Sequence, residues 1–348
     1  MRFMRCDNRR AAALISFFLI ASFVQSSENQ VLVYKKKYIM GTVFEIAAYD
    51  QSSEHASQAI EKAFQEIVRL DDLLSNYKPD SALSSLNRSA HFHAEKVPSD
   101  LYRIIDQAMQ FSRLSAGKFD ISIAPLVNLW KAALRGEGTP SRAQQEEVRS
   151  CVGYEKIELT PPDRISFRSS CLQLDLGAIG KGYAVDRAAE VLHSLGIRDA
   201  LVNAGGSTIF AMGSPPDQTA WLVHLRDPSN KIDPQVMLKD GSVSTSEQTA
   251  PSLLGGDSAG HIIDPDTGMP LKTVFAVSAI SRTATVSDAL STTLLLLGPT
   301  KGKALVKSMV DVSAIWISHE AHVEMTTGGP QILLGRGFQT PVSLGAIP

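Results

Sequence analysis

The stretch Asp175-Leu-Gly-Ala-Ile-Gly-Lys-Gly-Tyr-Ala-Val-Asp186 constrains this chain more than any other. Its three glycines, Gly177, Gly180 and Gly182, lie between a strand-like run (Cys171 to Leu176) and a helical one (Tyr183 to Leu195). A strand that feeds a glycine-rich turn and then a helix N-terminus makes an anion site. Glycine lets the backbone approach, and the free N–H groups and the helix dipole face the negative charge. Lys181 adds a full positive charge. Phosphate or pyrophosphate binding is the first expectation; a tight turn that merely closes a strand–helix unit is the other reading of the same residues. Two common phosphate motifs do not fit. A P-loop needs four residues between its glycine and the Gly-Lys-Ser/Thr end, but only Ala178 and Ile179 separate Gly177 from Gly180, and Gly182 replaces the hydroxyl residue. The dinucleotide fingerprint needs a third glycine where Val185 stands.

The 348 residues, 44% hydrophobic and 20% charged, suit one large or two ordinary domains with a real core. Arg2, Arg5, Arg9 and Arg10 precede the apolar run Ala11 to Val24 and then Gln25-Ser26-Ser27. That is a secretory signal over residues 1–26, leaving 27–348 as the exported part. The apolar run is short for a membrane span, and a retained anchor is the alternative. Cys6 precedes the run, so no lipid-anchor cysteine follows it. Cleavage removes four arginines and one aspartate from 34 basic and 36 acidic residues, leaving 30 against 35, a net charge of −5. With no long basic run either, nucleic acid is excluded as a partner.

Cys151 and Cys171 remain in the exported part. They flank an expected hairpin, residues 156–160 and 165–169, turned by Pro161-Pro162-Asp163. A disulfide there would close a loop of about twenty residues, worth roughly 3 kcal/mol on the chain-entropy model; two free buried thiols are the alternative. Apolar spacing predicts strands at 31–38, 43–48, 200–203, 208–212, 221–225, 235–239, 274–280, 314–318 and 322–326. It predicts helices at 54–74, 99–114, 183–195, 286–297 and 301–309, with a stop at Gly298-Pro299. Strands occur both in hairpin-like runs and between helices, so the expected class is mixed α/β (α+β), with mixed β-sheets flanked by helices.

Other constellations are ambiguous alone. His261-Ile-Ile-Asp-Pro-Asp-Thr-Gly268 has the composition of a type I turn, which leaves His261 free to be structural or a general base. Asp288 and Thr292 share one helix face one turn apart, giving hard oxygen donors suited to Mg²⁺ beside phosphates, or an ordinary acidic first turn. Gly256-Asp-Ser-Ala-Gly260 matches the esterase elbow but lacks its strand–turn–helix context. His319-Glu-Ala-His322 reads as a surface turn, and His91-Phe-His93 as an exposed alternating strand.

Taken in order, the motifs resemble the FAD:protein FMN transferases, the ApbE family of flavin transferases. The matching segments are Met40-Gly-Thr42, Leu74-Ser-Asn-Tyr77, Gly117-Lys-Phe-Asp120 with Pro125-Leu126 and Leu129-Trp130, Asp175–Asp186, Asn203-Ala-Gly-Gly206, Ser244-Thr-Ser246, His261–Gly268 and Asp288-Ala-Leu-Ser-Thr292. They span about Val31 to Leu334. The resemblance implies an exported, periplasmic enzyme, often anchored to the inner membrane, that needs Mg²⁺. It would split the pyrophosphate of FAD, place FMN on a Thr or Ser hydroxyl of a target protein, and release AMP. Targets would be subunits of membrane redox complexes of the sodium-pumping NADH:quinone reductase type. By the same resemblance, Met40, Tyr77, Lys118, Phe119, Asp120 and Ile263 would line the flavin and adenosine pocket, and Tyr77 would order FAD and exclude water. Asp175 and Lys181 would hold the nucleotide. Mg²⁺ would take the Ala178 carbonyl, Asp288 and Thr292, with Ser291 standing where some members carry a second acidic ligand. His261 would accept the target hydroxyl's proton. Two further departures from the family pattern are Ser207 in place of Asp and Glu247 in place of Gly. Two other functions use the same residues: an Mg²⁺-dependent FAD pyrophosphatase giving FMN and AMP, and an exported flavin-binding protein without catalysis.

Overall fold

The computed structural model describes residues 30–132, 138–248, 262–326 and 332–334. The signal (1–26), the Gly256–Gly260 match and His261 lie outside these residues. In chain order the elements are β1 (Val31–Ile39), β2 (Thr42–Asp50), α1 (Ser53–Leu74), α2 (Ala82–Ser89), β3 (Glu95–Lys96), α3 (Ser99–Leu114), α4 (Ala124–Ala132), α5 (Arg142–Cys151), β4 (Ile157–Thr160) and β5 (Arg164–Phe167). Then come α6 (Gly180–Ser194), β6 (Asp199–Ala204), β7 (Thr208–Met212), β8 (Trp221–His224), β9 (Pro234–Leu238) and β10 (Gly241–Glu247). The chain closes with β11 (Ile263–Asp264), β12 (Met269–Pro270), β13 (Phe275–Ser281), α7 (Ala284–Lys307), β14 (Ser313–Ser318), β15 (Val323–Met325) and β16 (Ile332–Leu334). No helix among the described residues is long and apolar enough to cross a membrane.

Eight strands form one sheet in the order β1-β2-β6-β7-β10-β13-β14-β15, and every pairing in it is antiparallel. The class is mixed α/β as expected, but the sheet is not itself mixed, because tight hairpins join β1 to β2 and β6 to β7. The period of two along a strand sends neighbouring side chains to opposite faces. Ala314 and Trp316 of β14 join the core shared with α1, α6 and α7, while Ile315 and Ile317 face the ribbon of β8 and β9. The α1 stripe Ala56, Ile60, Ala63, Phe64, Ile67, Leu70 and Leu74 is buried at three- and four-residue spacing, and Ser52 caps the helix by accepting from the His55 N–H at 3.2 Å.

Several elements differ from expectation for identifiable reasons. Residues 171–176 form no strand, and their one strand-type pairing is the isolated Ile123–Gln173 bridge. The Asn87 side chain takes both the Leu174 N–H (2.7 Å) and its carbonyl (3.0 Å), and the Asp175 N–H goes to Ile121 O at 2.8 Å. Residues 91–93 sit in a turn after α2. β10 lacks an apolar alternation because its serines are buried by pairing with other hydroxyls. The two helices expected at 286–309 run as α7 with a break at Gly298, whose φ of +69° is left-handed and which precedes Pro299. The 319–322 turn forms as expected, with the Ser318 hydroxyl accepting from the N–H groups of Glu320 and His322.

Helices α6 and α7 meet close to their N-termini. A Cβ at position 182 would lie 2.2 Å from the Ala284 carbonyl oxygen and 2.7 Å from Asp288 Cβ, so only glycine fits. Each helix also supplies a carboxylate to the other's first turn. Asp186 accepts from the N–H groups of Ala284 (2.6 Å) and Thr285 (2.8 Å) and from the Thr285 hydroxyl (2.5 Å). Asp288 accepts from the Gly182 N–H at 2.8 Å. Burial pushes the Asp186 carboxyl pKa up, and its three donors offset only part of that.

Cys151 and Cys171 form a disulfide with a Cα–Cα distance of 5.2 Å, tying the end of α5 to the segment that leads into the glycine turn. Reduction by a dithiol is expected to lower stability by about 3 kcal/mol and to lower the melting temperature in calorimetry; an unchanged melting temperature would contradict this. Gly182→Ala is expected to cost about 3 kcal/mol, the upper range for overpacking, read from urea unfolding.

Candidate active site

Where the β1–β2 turn, the starts of α6 and α7 and the end of β10 converge, they enclose a cavity of about 660 Å³, well within the range of about 300–1,000 Å³ for small-molecule sites. Met40, Tyr77, Lys118, Phe119, Asp120, Asp175, Ala178, Lys181, Ile263, Asp288 and Thr292, expected from separate segments, all line it. Ser291 does not. It is fully buried, with its hydroxyl donating to Asp288 O at 2.9 Å and 2.8 Å from Ser246 Oγ. His261 lies outside the described residues, and the next residue, Ile262, lines the cavity.

Local backbone explains much of this convergence. Met40 and Gly41 form the two-residue β1–β2 turn with φ of +52° and +73°, the left-handed pair that such a turn requires. A methionine seldom adopts this conformation, and the turn puts Met40 at the cavity wall. Gly205, φ +61°, is forced by the neighbouring strand, since a Cβ would fall 1.9 Å from Thr42 Oγ1. The glycine turn at 177–182 serves two purposes. Gly177, Gly180 and Lys181 face the cavity, but the tightest approach, at Gly182, is to α7. The Gly177 N–H donates to Asp175 Oδ1 at 2.7 Å, and Lys181 Nζ to Gly177 O at 3.3 Å. α6 begins with no side-chain cap. Lys181 has no carboxylate partner among the described residues and is free to meet an anion.

The other cations on the wall are engaged. Lys118 Nζ lies 2.8 Å from both Asp264 and Asp266. Burial alone would lower the Lys118 pKa, but the two carboxylates outweigh it and hold the ammonium charged. Lys118 therefore pins the β11–β12 turn that follows His261. Trp130 Nε1 anchors the same turn by donating to Gly268 O at 2.8 Å. Gln248 closes its base, with its side-chain amide bonded to Ile262 N, Ile262 O and Leu271 O. Asp120 is turned towards its own loop, accepting from the Ser122 N–H and hydroxyl and from the Tyr154 N–H; burial raises its pKa. Phe119 is buried against Phe111. Tyr77, by contrast, is 74% exposed, with Lys131 Nζ 4.7 Å from its ring centre.

Asp288 is only 5% exposed. It contacts the Gly182 N–H and the Thr208 hydroxyl, and no lysine, arginine or histidine among the described residues pairs with it. A buried carboxylate without a basic partner at a cavity wall fits a cation. Among the described residues no group of three His, Cys, Asp or Glu side chains is placed to hold a metal. The available donors are one carboxylate, the Thr292 hydroxyl and the Ala178 carbonyl, all hard oxygens of the kind Mg²⁺ takes.

Arg226, Lys131 and Thr245–Glu247 also line the cavity and were not anticipated as site residues. The Ser244–Ser246 segment pointed to the last of these; a lone arginine after β8 carries no sequence signal. Arg226 pairs with Glu247, and both also border a second cavity of about 560 Å³.

A model of the ApbE family matches residues 40–316. The chain is 29% identical over 314 residues to the FAD:protein FMN transferase of Treponema pallidum, covering 84% of this chain and 86% of that one. It is 28% identical over 278 residues to that of Escherichia coli K12, covering 77% and 79%. Among solved structures, the flavin transferase ApbE of Vibrio cholerae superposes with a TM-score of 0.72 at 25% identity, covering 89% of this chain and 99% of that one. The apo flavinyl transferase ApbE of Pseudomonas stutzeri gives 0.74 at 27% identity, covering 86% and 95%. With its motif residues gathered on one cavity and the family match spanning most of its length, this chain belongs to the ApbE family.

Proposed function

We propose that this chain is an FAD:protein FMN transferase that uses Mg²⁺ to move FMN from FAD onto a Thr or Ser hydroxyl of a target protein, releasing AMP. The observation that carries the reading is the buried Asp288 carboxylate, with no basic partner among the described residues, on the same cavity wall as Lys181, which has no carboxylate partner among them. Asp288, Thr292 and the Ala178 carbonyl would hold Mg²⁺, with Ser291 behind Asp288; bound there, the ion would neutralise the pyrophosphate and the departing AMP. Lys181 and the 177–180 turn bind the phosphates. Met40, Phe119 and Ile263 offer apolar surface to the flavin or adenosine, and Lys118 and Asp120 keep the surrounding loops in place. The acceptor hydroxyl oxygen bonds to the FMN phosphorus, and the bond from that phosphorus to the bridging oxygen breaks. AMP leaves with that oxygen, and His261 takes the hydroxyl proton, a contribution of roughly 10²–10⁴ in rate. The enzyme is exported to the periplasm by residues 1–26, held at the inner membrane if they are not cleaved, and acts on subunits of membrane redox complexes of the sodium-pumping NADH:quinone reductase type.

Water as the acceptor, which makes the chain an FAD pyrophosphatase, is favoured by one observation. Tyr77, expected to shield the site, is largely exposed.

Mass spectrometry of a flavin-accepting domain incubated with the enzyme, FAD and Mg²⁺ separates these readings. Transfer adds the mass of phosphodiester-linked FMN, and chelation of Mg²⁺ abolishes it. Free FMN and AMP beside an unmodified acceptor would support the pyrophosphatase, and intact bound FAD a binding protein. Asp288→Ala is expected to bring transfer below detection; normal turnover at ordinary Mg²⁺ would remove Asp288 from the metal site. His261→Ala is expected to bind FAD normally and transfer about 10²–10⁴-fold more slowly, whereas an unchanged rate at every pH would exclude it as the base.

A further inference from the structure

Behind Asp288 lies a run of buried hydroxyls that the chemistry above does not use. Thr208, Ser242 and Ser287 are fully buried, and Ser244 is 1% exposed. Thr208 Oγ1 donates to Asp288 Oδ1 at 3.2 Å, and Ser244 Oγ donates to Thr208 Oγ1 at 3.2 Å. Ser287 Oγ lies 2.7 Å from Ser244 Oγ and 2.8 Å from Ser242 Oγ, and Ser242 donates to Ile209 O at 2.8 Å. The direction of this chain follows from elementary bookkeeping. An ionised carboxylate only accepts, so the Thr208 proton points at Asp288. Thr208 must then accept, which commits the Ser244 proton to it, and Ser287 Oγ, which also donates to Ala284 O at 3.2 Å, packs directly behind Ser244. Residues of β7, β10 and α7 thus converge on one carboxylate oxygen, while the Gly182 N–H of α6 holds the other at 2.8 Å. Burying four hydroxyls in a sheet–helix interface is costly unless each is satisfied, and valine or alanine would fill the same space without that demand.

Resting on the Mg²⁺ reading of the site, we infer that Thr208, backed by Ser244 and Ser287, is a positioning residue. It fixes the rotation of the Asp288 carboxylate so that the lone pairs left by the two hydrogen bonds face the cavity, and so sets the affinity for the divalent cation. Outer hydrogen bonds of this kind typically account for about 10–100-fold in metal affinity.

The test is a calorimetric titration of Mg²⁺ into the FAD-saturated exported chain, with FAD affinity measured separately in chelator. Thr208→Val, which keeps the shape and removes the hydroxyl, is expected to weaken Mg²⁺ binding at least about tenfold and leave metal-free FAD affinity within twofold. Thr208→Ser, which keeps the hydroxyl, is expected to restore wild-type Mg²⁺ affinity. Ser244→Ala should weaken Mg²⁺ binding alone but add little in the Thr208→Val background, because both act through one hydrogen-bond chain. It also provides a second variant if Thr208→Val folds poorly. Unchanged Mg²⁺ affinity in both Thr208→Val and Ser244→Ala, with Asp288→Ala abolishing binding, would overturn the inference and leave the metal site standing. Absence of Mg²⁺ uptake by the wild-type FAD complex would instead overturn the metal reading and this inference with it.

Discussion

The close crossing of α6 over α7 at Gly182 is the contact on which the rest of the site depends. A Cβ there would collide with the Ala284 carbonyl, so glycine sets how near the two helix N-termini come. Because they are near, each can lend the other a carboxylate. Asp186 satisfies the first N–H groups of α7, and Asp288 satisfies that of Gly182 in α6. Carboxylates at helix N-termini are favourable in themselves, since they meet orphan donors and the positive end of the dipole. Asp288 differs from Asp186 in bordering the cavity and in accepting two hydrogen bonds rather than three, which leaves it lone pairs to spare. One side chain therefore locks the helices together and presents a hard oxygen donor to the cavity.

The large sheet supplies the remaining constraint. Its central strand β10 carries Ser242, Ser244 and Ser246, and β7 beside it carries Thr208. Apolar residues would have packed there more cheaply, yet these hydroxyls converge on Asp288, Ser291 and Thr292 of α7. Low dielectric strengthens such bonds and penalises any that are missing, so a fully satisfied buried network holds a single geometry. The opposite wall is held by charge, through Lys118 and the paired Asp264 and Asp266, which fix the turn that follows His261.

The long periodic elements were legible from sequence alone. Helix α1 and helix α3 follow directly from apolar spacing, and the break at Gly298-Pro299 from local backbone chemistry. The short helices α2, α4 and α5 were not, and neither was β10, because serines buried by mutual hydrogen bonding look like a loop to a hydrophobicity pattern. Residues 171–176 have a strand's composition, but the Asn87 side chain takes the place of a partner strand. The glycine turn was legible as a site but not in its detail: its tightest glycine answers to α7 rather than to a ligand. Individually ambiguous residues such as Met40, Lys118, Asp175 and Thr292 became a site only because their order matched a family pattern, and the fold brings them to one cavity. Arg226 and Lys131 reach that cavity through tertiary structure alone, which no local pattern reports.

The carboxylate that clasps α6 to α7 is proposed to be the metal donor as well. The most direct test is a crystal structure with FAD and Mn²⁺ in place of Mg²⁺, read by anomalous scattering. One anomalous peak is expected, bounded by Asp288, the Thr292 hydroxyl and the Ala178 carbonyl, next to the FAD phosphates. FAD bound in the cavity with the peak elsewhere, or with none while Asp288 keeps only its bonds to Gly182 and Thr208, would contradict the proposal.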